Sequence, residues 1–105
     1  MGTRAIVAFK DETGEYPVFK HWDGRPDVIL PMIEDAKGLA WDLPRWEASD
    51  YAAAFVATHK RGGGDIRLEP CVANWREHAD FSYLYEVTFV NEKMRVRIFT
   101  GSEVL

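Results

Sequence analysis

The sequence predicts an α+β domain: an antiparallel sheet, with elements in the order β-β-α-α-β-β-β, carrying two helices packed on one face. Three observations predict it. Tyr83, Tyr85, Val87 and Phe89 alternate with other residues, as do Met94, Val96 and Ile98, with Asn91-Glu92-Lys93 between them, which is the pattern of a hairpin. Ile29, Met32, Ile33, Ala36 and Ala40 recur at helical spacing, and Ala48, Tyr51, Ala52, Phe55, Val56 and His59 repeat it. The 105 residues are 47% hydrophobic and 29% charged, the balance of one globular domain spanning residues 1–105.

The elements follow in order. Residues 4–10 alternate weakly, with Ile6, Val7 and Phe9 apolar, and read as a strand. Asp11-Glu12-Thr13-Gly14 is a polar turn closed by glycine. Residues 15–22 complete a hairpin, and Pro17 puts this second strand at an edge or delays its start. Helix one starts at Pro26 or Asp27 and ends near Ala40, with Asp23 or Asp27 as its cap. Pro31 belongs to its first turns or kinks it, and Gly38 weakens its last turn. The connector Trp41-Asp42-Leu43-Pro44 resets the direction. Helix two covers residues 44–61. His59-Lys60-Arg61 complements the negative end of its dipole, and Gly62-Gly63-Gly64 supplies a left-handed stop. Residues 65–69 form a short strand, and residues 70–80 form a loop or a single turn around Trp75. The late hairpin then runs to Gly101, and the residues after it fray.

Charge and cysteine content narrow the classes of function. Net charge is −4, and the excess is local: residues 1–50 hold ten acids and six bases, residues 51–105 seven of each. A nucleic-acid binder normally shows a basic face, so nucleic acid ranks last among partners, with Arg95 and Arg97 on the late hairpin as its one local patch. Cys71 is the one cysteine, which rules out an internal disulfide and suits a reducing cytoplasm. The start of the chain lacks the apolar core of a signal peptide, and no apolar run approaches the ~20 residues that span a bilayer. No cofactor fingerprint is present, and the glycines at 62–64 follow a helix where a phosphate loop needs them before one. An unpaired edge strand would let a second copy pair, so a homodimer stays open.

The densest chemistry lies in His21-Trp22-Asp23-Gly24-Arg25-Pro26, where an extended segment must turn into a helix. His21 and Asp23 are two apart, as are His78 and Asp80, so each pair shares one side of an extended segment. Two such pairs converging would give a divalent metal site, or a general base with its orienting carboxylate. The plainer reading makes Asp23 a helix cap and His21 a rim residue. His59 reads as a packing residue or a dipole partner. Trp22, Trp41, Trp46 and Trp75 all fall in or near connectors, where aromatics seal small cores or anchor interfaces. Arg45 sits beside Trp46 between the helices.

These residues carry a resemblance. The chain is similar to a group of small proteins borne by bacteriophages, prophages and related mobile elements. The similarity rests on Arg4-Ala5 with Val7, on His21-Trp22-Asp23-Gly24 with Pro26, on Leu30-Pro31 with Ile33, and on Asp80 with Tyr83, Tyr85 and Glu86. It spans most of the chain as scattered short matches, and the chain departs from the group at Asp80-Phe81-Ser82 and in its charged connector. The resemblance implies a small cytoplasmic accessory protein that works without catalysis by covering a host or defence protein, as an anti-CRISPR inhibitor does. His21, Trp22, Asp23, Arg25, Trp41 and Trp46 are then the expected binding residues. The alternative is a small metal- or ligand-dependent enzyme using His21, Asp23, His78 and Asp80.

Overall fold

The computed structural model describes residues 3–42 and 44–101. Leu43 of the expected connector, and the segment expected to fray after Gly101, lie outside the described residues. Strands β1 (Ala5–Asp11), β2 (Gly14–Lys20), β3 (Ile66–Leu68), β4 (Tyr83–Val90) and β5 (Lys93–Thr100) form one sheet in the order β3-β2-β1-β4-β5. Helices α1 (Pro26–Asp35) and α2 (Ala48–His59) lie between β2 and β3 in the chain, and α3 (Trp75–His78) lies between β3 and β4.

The α+β class holds, but the sheet is mixed rather than antiparallel. β1 pairs with β2 antiparallel and with β4 parallel, from Ala5↔Tyr83 to Phe9↔Val87. β3 pairs with β2, not with β4. The chain therefore leaves one edge at β3, crosses the sheet through α3, and re-enters beside β1. A parallel neighbour needs such a crossover.

Both faces of β1 are covered, which explains its weak alternation. Ala5, Val7 and Phe9 pack with Ile29, Ile33, Tyr51 and Phe55 of α1 and α2, on the face predicted for two helices. Ile6 and Ala8 pack on the other face with Phe19, Leu84 and Trp75 of α3. The third helix is one turn, as the Trp75 segment allowed, and it adds an element to the expected order. Arg76 holds it down. Its Nη2 donates to Glu15 Oε2 at 2.6 Å and to Glu86 Oε2 at 2.7 Å, and Trp75 Nε1 donates to Glu15 Oε1 at 3.1 Å.

Both long helices are shorter than their periodicity suggests. Helix one ends at Asp35 and passes into a 3₁₀ turn over Ala36–Gly38. Helix two starts at Ala48, because Asp11 Oδ2 of the first hairpin accepts the Ala48 N–H at 2.9 Å and caps it from outside. It stops at His59 with Lys60 extended. The left-handed residue is Gly64, which belongs to the turn into β3 and is no part of the helix stop. β2 is neither an edge strand nor late to start: Pro17 faces Ala8 in a non-hydrogen-bonded pair, so its missing N–H costs no bond to β1, and its carbonyl accepts from Glu69 N–H on the β3 side. In the late hairpin Asn91 and Glu92 both take positive φ (52° and 62°), the two-residue turn whose twist matches its strands.

Candidate functional site

The corner after β2 is built around Gly24 and Asp65. Gly24 N–H donates to the Thr3 carbonyl at 2.8 Å, and its own carbonyl accepts from the buried Tyr85 hydroxyl at 2.6 Å. A Cβ at Gly24 would lie 2.6 Å from the Thr3 carbonyl oxygen and 2.7 Å from Ala5 Cβ, so this position has room for glycine alone. Asp65, just before β3, gathers the approach. Its backbone carbonyl accepts His21 N–H at 2.8 Å, Oδ1 accepts Trp22 N–H at 3.1 Å and Oδ2 accepts Lys20 Nζ at 2.8 Å. Burial pushes the Asp65 carboxyl up, but the Lys20 hydrogen bond and charge, with the two backbone N–H donors, hold it below the ordinary carboxylate range. Asp65 is the residue that sequence reasoning missed, because its partners lie 43 to 45 positions away.

The corner's own side chains do less than their chemistry promised. Asp23 adopts φ 55° and caps nothing; the N-cap of α1 is Arg25, which makes no side-chain cap and sits 3.8 Å from Asp27. His21 is wedged between the rings of Phe19 and Trp22, with its Nδ1 buried and lacking a partner among the described residues. Trp22 is 46% exposed.

The two His-x-Asp pairs converge in part. His21, His78 and Asp80 line one shallow bowl of about 400 Å³ together with Arg4 and Arg67, and Asp23 is not in its wall. Asp80 is paired with Arg4 at 3.2 Å, while the Arg67 guanidinium lies 4.6 Å over the Phe19 ring. Among the described residues no three His, Cys, Asp or Glu side chains are grouped so that they could hold a metal ion.

Trp41 and Trp46 meet at the far corner of the sheet, at the opposite end of the strands from Trp22. Trp46 stacks on Phe89 of β4 at 5.7 Å and 9°, and the Arg45 guanidinium sits 3.7 Å over Trp41. Asp50 accepts the Trp41 N–H at 2.9 Å, which fixes the connector onto α2. With Tyr51, Phe89 and Met94, the two indoles wall a cleft of about 150 Å³. Trp41 is 46% exposed, and the Trp46 Nε1 is buried without a partner among the described residues. A buried donor left so costs about 1–3 kcal/mol.

A concavity of about 530 Å³ escaped sequence reasoning. It is an apolar groove between α2 and the β2–β3 edge, lined by Tyr16, Pro17, Val18, Ala52, Val56 and Leu68. The signal lay in Ala52, Ala53 and Ala57, whose small side chains leave space beside a strand. Leu68, 77% exposed, stands at its rim beside Cys71, which is also exposed. Among the described residues no helix is long and apolar enough to cross a membrane. The chain matches no protein-family model, no curated protein and no solved structure.

Proposed function

We propose that this chain is a non-enzymatic binding module, an accessory protein of a phage or mobile element that acts in the cytoplasm by covering a surface of a host or defence protein. The observation that carries this reading is the Trp41–Trp46 cleft. A half-exposed indole, a stacked second indole with an unsatisfied N–H, and a small apolar hollow are what an interface anchor needs. Trp22 is a second exposed aromatic, at the other end of the sheet, so the binding residues expected from sequence form two patches.

Affinity purification of the tagged chain from its native host tests the reading. A stoichiometric protein partner is expected with the wild-type chain, and its recovery falls at least about tenfold with Trp41→Ala, the loss of a hot-spot aromatic. Recovery of the chain alone overturns it.

A second reading, a ligand-dependent enzyme, draws on the bowl that holds His21, His78 and Asp80. Arg4 and Arg67 in its wall favour a small anionic substrate. A screen of phosphorylated and carboxylated small molecules by thermal shift, repeated on His78→Ala, separates it from the first: a shift that the variant abolishes supports the bowl, and no shift removes it.

A further inference from the structure

The binding reading leaves the partner's chemistry open, and the geometry of β5 supplies it. We propose that an extended segment of the partner adds to the outer edge of β5 as a sixth strand, with acidic side chains on the face of Lys93, Arg95 and Arg97 and apolar side chains on the face of Met94, Val96 and Ile98.

The free edge follows from the hairpin's register. Gly101 N–H donates to the Ser82 carbonyl at 3.0 Å, and the β4–β5 pairing continues without a break to Val90↔Lys93. Bonded and non-bonded pairs alternate in an antiparallel ladder. The bonds to β4 therefore come from Phe99, Arg97, Arg95 and Lys93. Met94, Val96 and Ile98 turn their N–H and C=O groups outward, where none has a partner among the described residues. β5 runs eight residues with no proline or glycine.

The opposite edge of the sheet is blunted. β3 has three residues, Lys60 Nζ donates to the Ile66 carbonyl at 2.9 Å, and Pro70 follows shortly after. One edge is closed to pairing and the other is open.

Charge selects the occupant. Lys93, Arg95 and Arg97 share one face of β5. Arg97 reaches Glu86 at 3.7 Å, while no ion pair engages Lys93 or Arg95 among the described residues. A second copy of β5, paired antiparallel about Val96, would set Arg95 of one chain against Arg97 of the other, and like charges directly opposed repel. The cationic row thus disfavours self-pairing and favours a strand with carboxylates at alternate positions. On the other face Ile98 is 41% exposed, and Met94 forms part of the wall of the Trp41–Trp46 cleft. An apolar residue of the added strand beside Met94 would border that cleft, so backbone pairing and the aromatic anchor join in one surface.

The probe is the synthetic peptide Glu-Val-Glu-Val-Glu-Val-Glu, with a control in which Lys replaces every Glu. Amide hydrogen exchange of the intact chain is followed by NMR. The acidic peptide is expected to slow exchange at Met94, Val96 and Ile98 by about tenfold or more, at peptide well above its dissociation constant. The basic peptide is expected to slow none of them. Arg95→Glu, a change at an exposed position whose fold is checked by its thermal melt, is expected to weaken the acidic peptide about five- to tenfold by exchanging an attraction for a repulsion.

Four results overturn the proposal: equal binding of both peptides; no slowing at these three amides; slowing that depends on protein concentration without peptide, which means a second copy; or tighter binding of oligothymidylate at Arg95 and Arg97, which means nucleic acid. A host partner whose complex leaves the three amides exchanging freely overturns the strand addition and spares the binding reading.

Discussion

Gly24 and Asp65 show how a stretch rich in chemistry becomes architecture. The Thr3 backbone closes on Gly24 from one side and the Tyr85 hydroxyl from another, so Gly24→Ala should destabilise the fold by about 2–3 kcal/mol, the cost of overpacking a rigid site. Urea denaturation checks it. Asp65 offsets the buried charge of Lys20, whose side chain is 7% exposed. Asp65→Asn leaves that ammonium without its carboxylate and should cost about 2–4 kcal/mol. The carboxyls of Asp65 and Asp11 both lie below their ordinary value: burial raises each, and the hydrogen bonds each accepts outweigh it. A depressed folded-state pKa gives stability that is complete above the unfolded value near ~4 and is lost as pH falls through the folded one. Thermal melts should therefore show the full contribution of these two groups, with no pH dependence from them, between about pH 7 and 5, and a steep loss below about pH 4. Asp65→Asn should flatten that acid limb. None of this was legible in His21-Trp22-Asp23, because a clamp formed across more than forty residues leaves no local pattern.

At the scale of elements, α3 is the shortest helix and the one most dependent on charge. Four residues cannot sustain a helix by themselves. Trp75 supplies the apolar contact, and Arg76 joins Glu15 and the nearly buried Glu86. Arg76→Ala leaves Glu86 with the longer 3.7 Å pair to the exposed Arg97 and should cost about 2–3 kcal/mol, with the fluorescence of Trp75 shifting to the red as the turn lifts. An unchanged melt would mean that Trp75 alone seats the turn. Longer elements announced themselves. The 3.6-residue spacing found α1 and α2, and strict alternation with Asn91-Glu92 found the late hairpin. The ends of α1 and α2 were less legible, since Asp11 sets the start of α2 from another element and periodicity continues past the last helical bond.

Across the whole molecule, the sheet keeps its exposed aromatics away from its stability. Trp22→Ala and Trp41→Ala should each change the unfolding free energy by less than about 1 kcal/mol, as surface substitutions do. If so, the loss of partner expected for Trp41→Ala reports on recognition and not on folding; chemical denaturation beside the purification decides it. The parallel pairing of β1 with β4 was the least legible feature, because sequence marks strands and turns but not which distant strand a central one will adopt.

That pairing has a consequence for synthesis. Ala5 waits for Tyr83, and the five residues from Ala5 to Phe9 are wholly buried once the sheet is complete. A nascent chain that has not yet delivered β4 holds its greasiest ribbon with one flank bare. Such a fragment should stay sensitive to protease on the ribosome and attract chaperones until the last hairpin emerges from the exit tunnel.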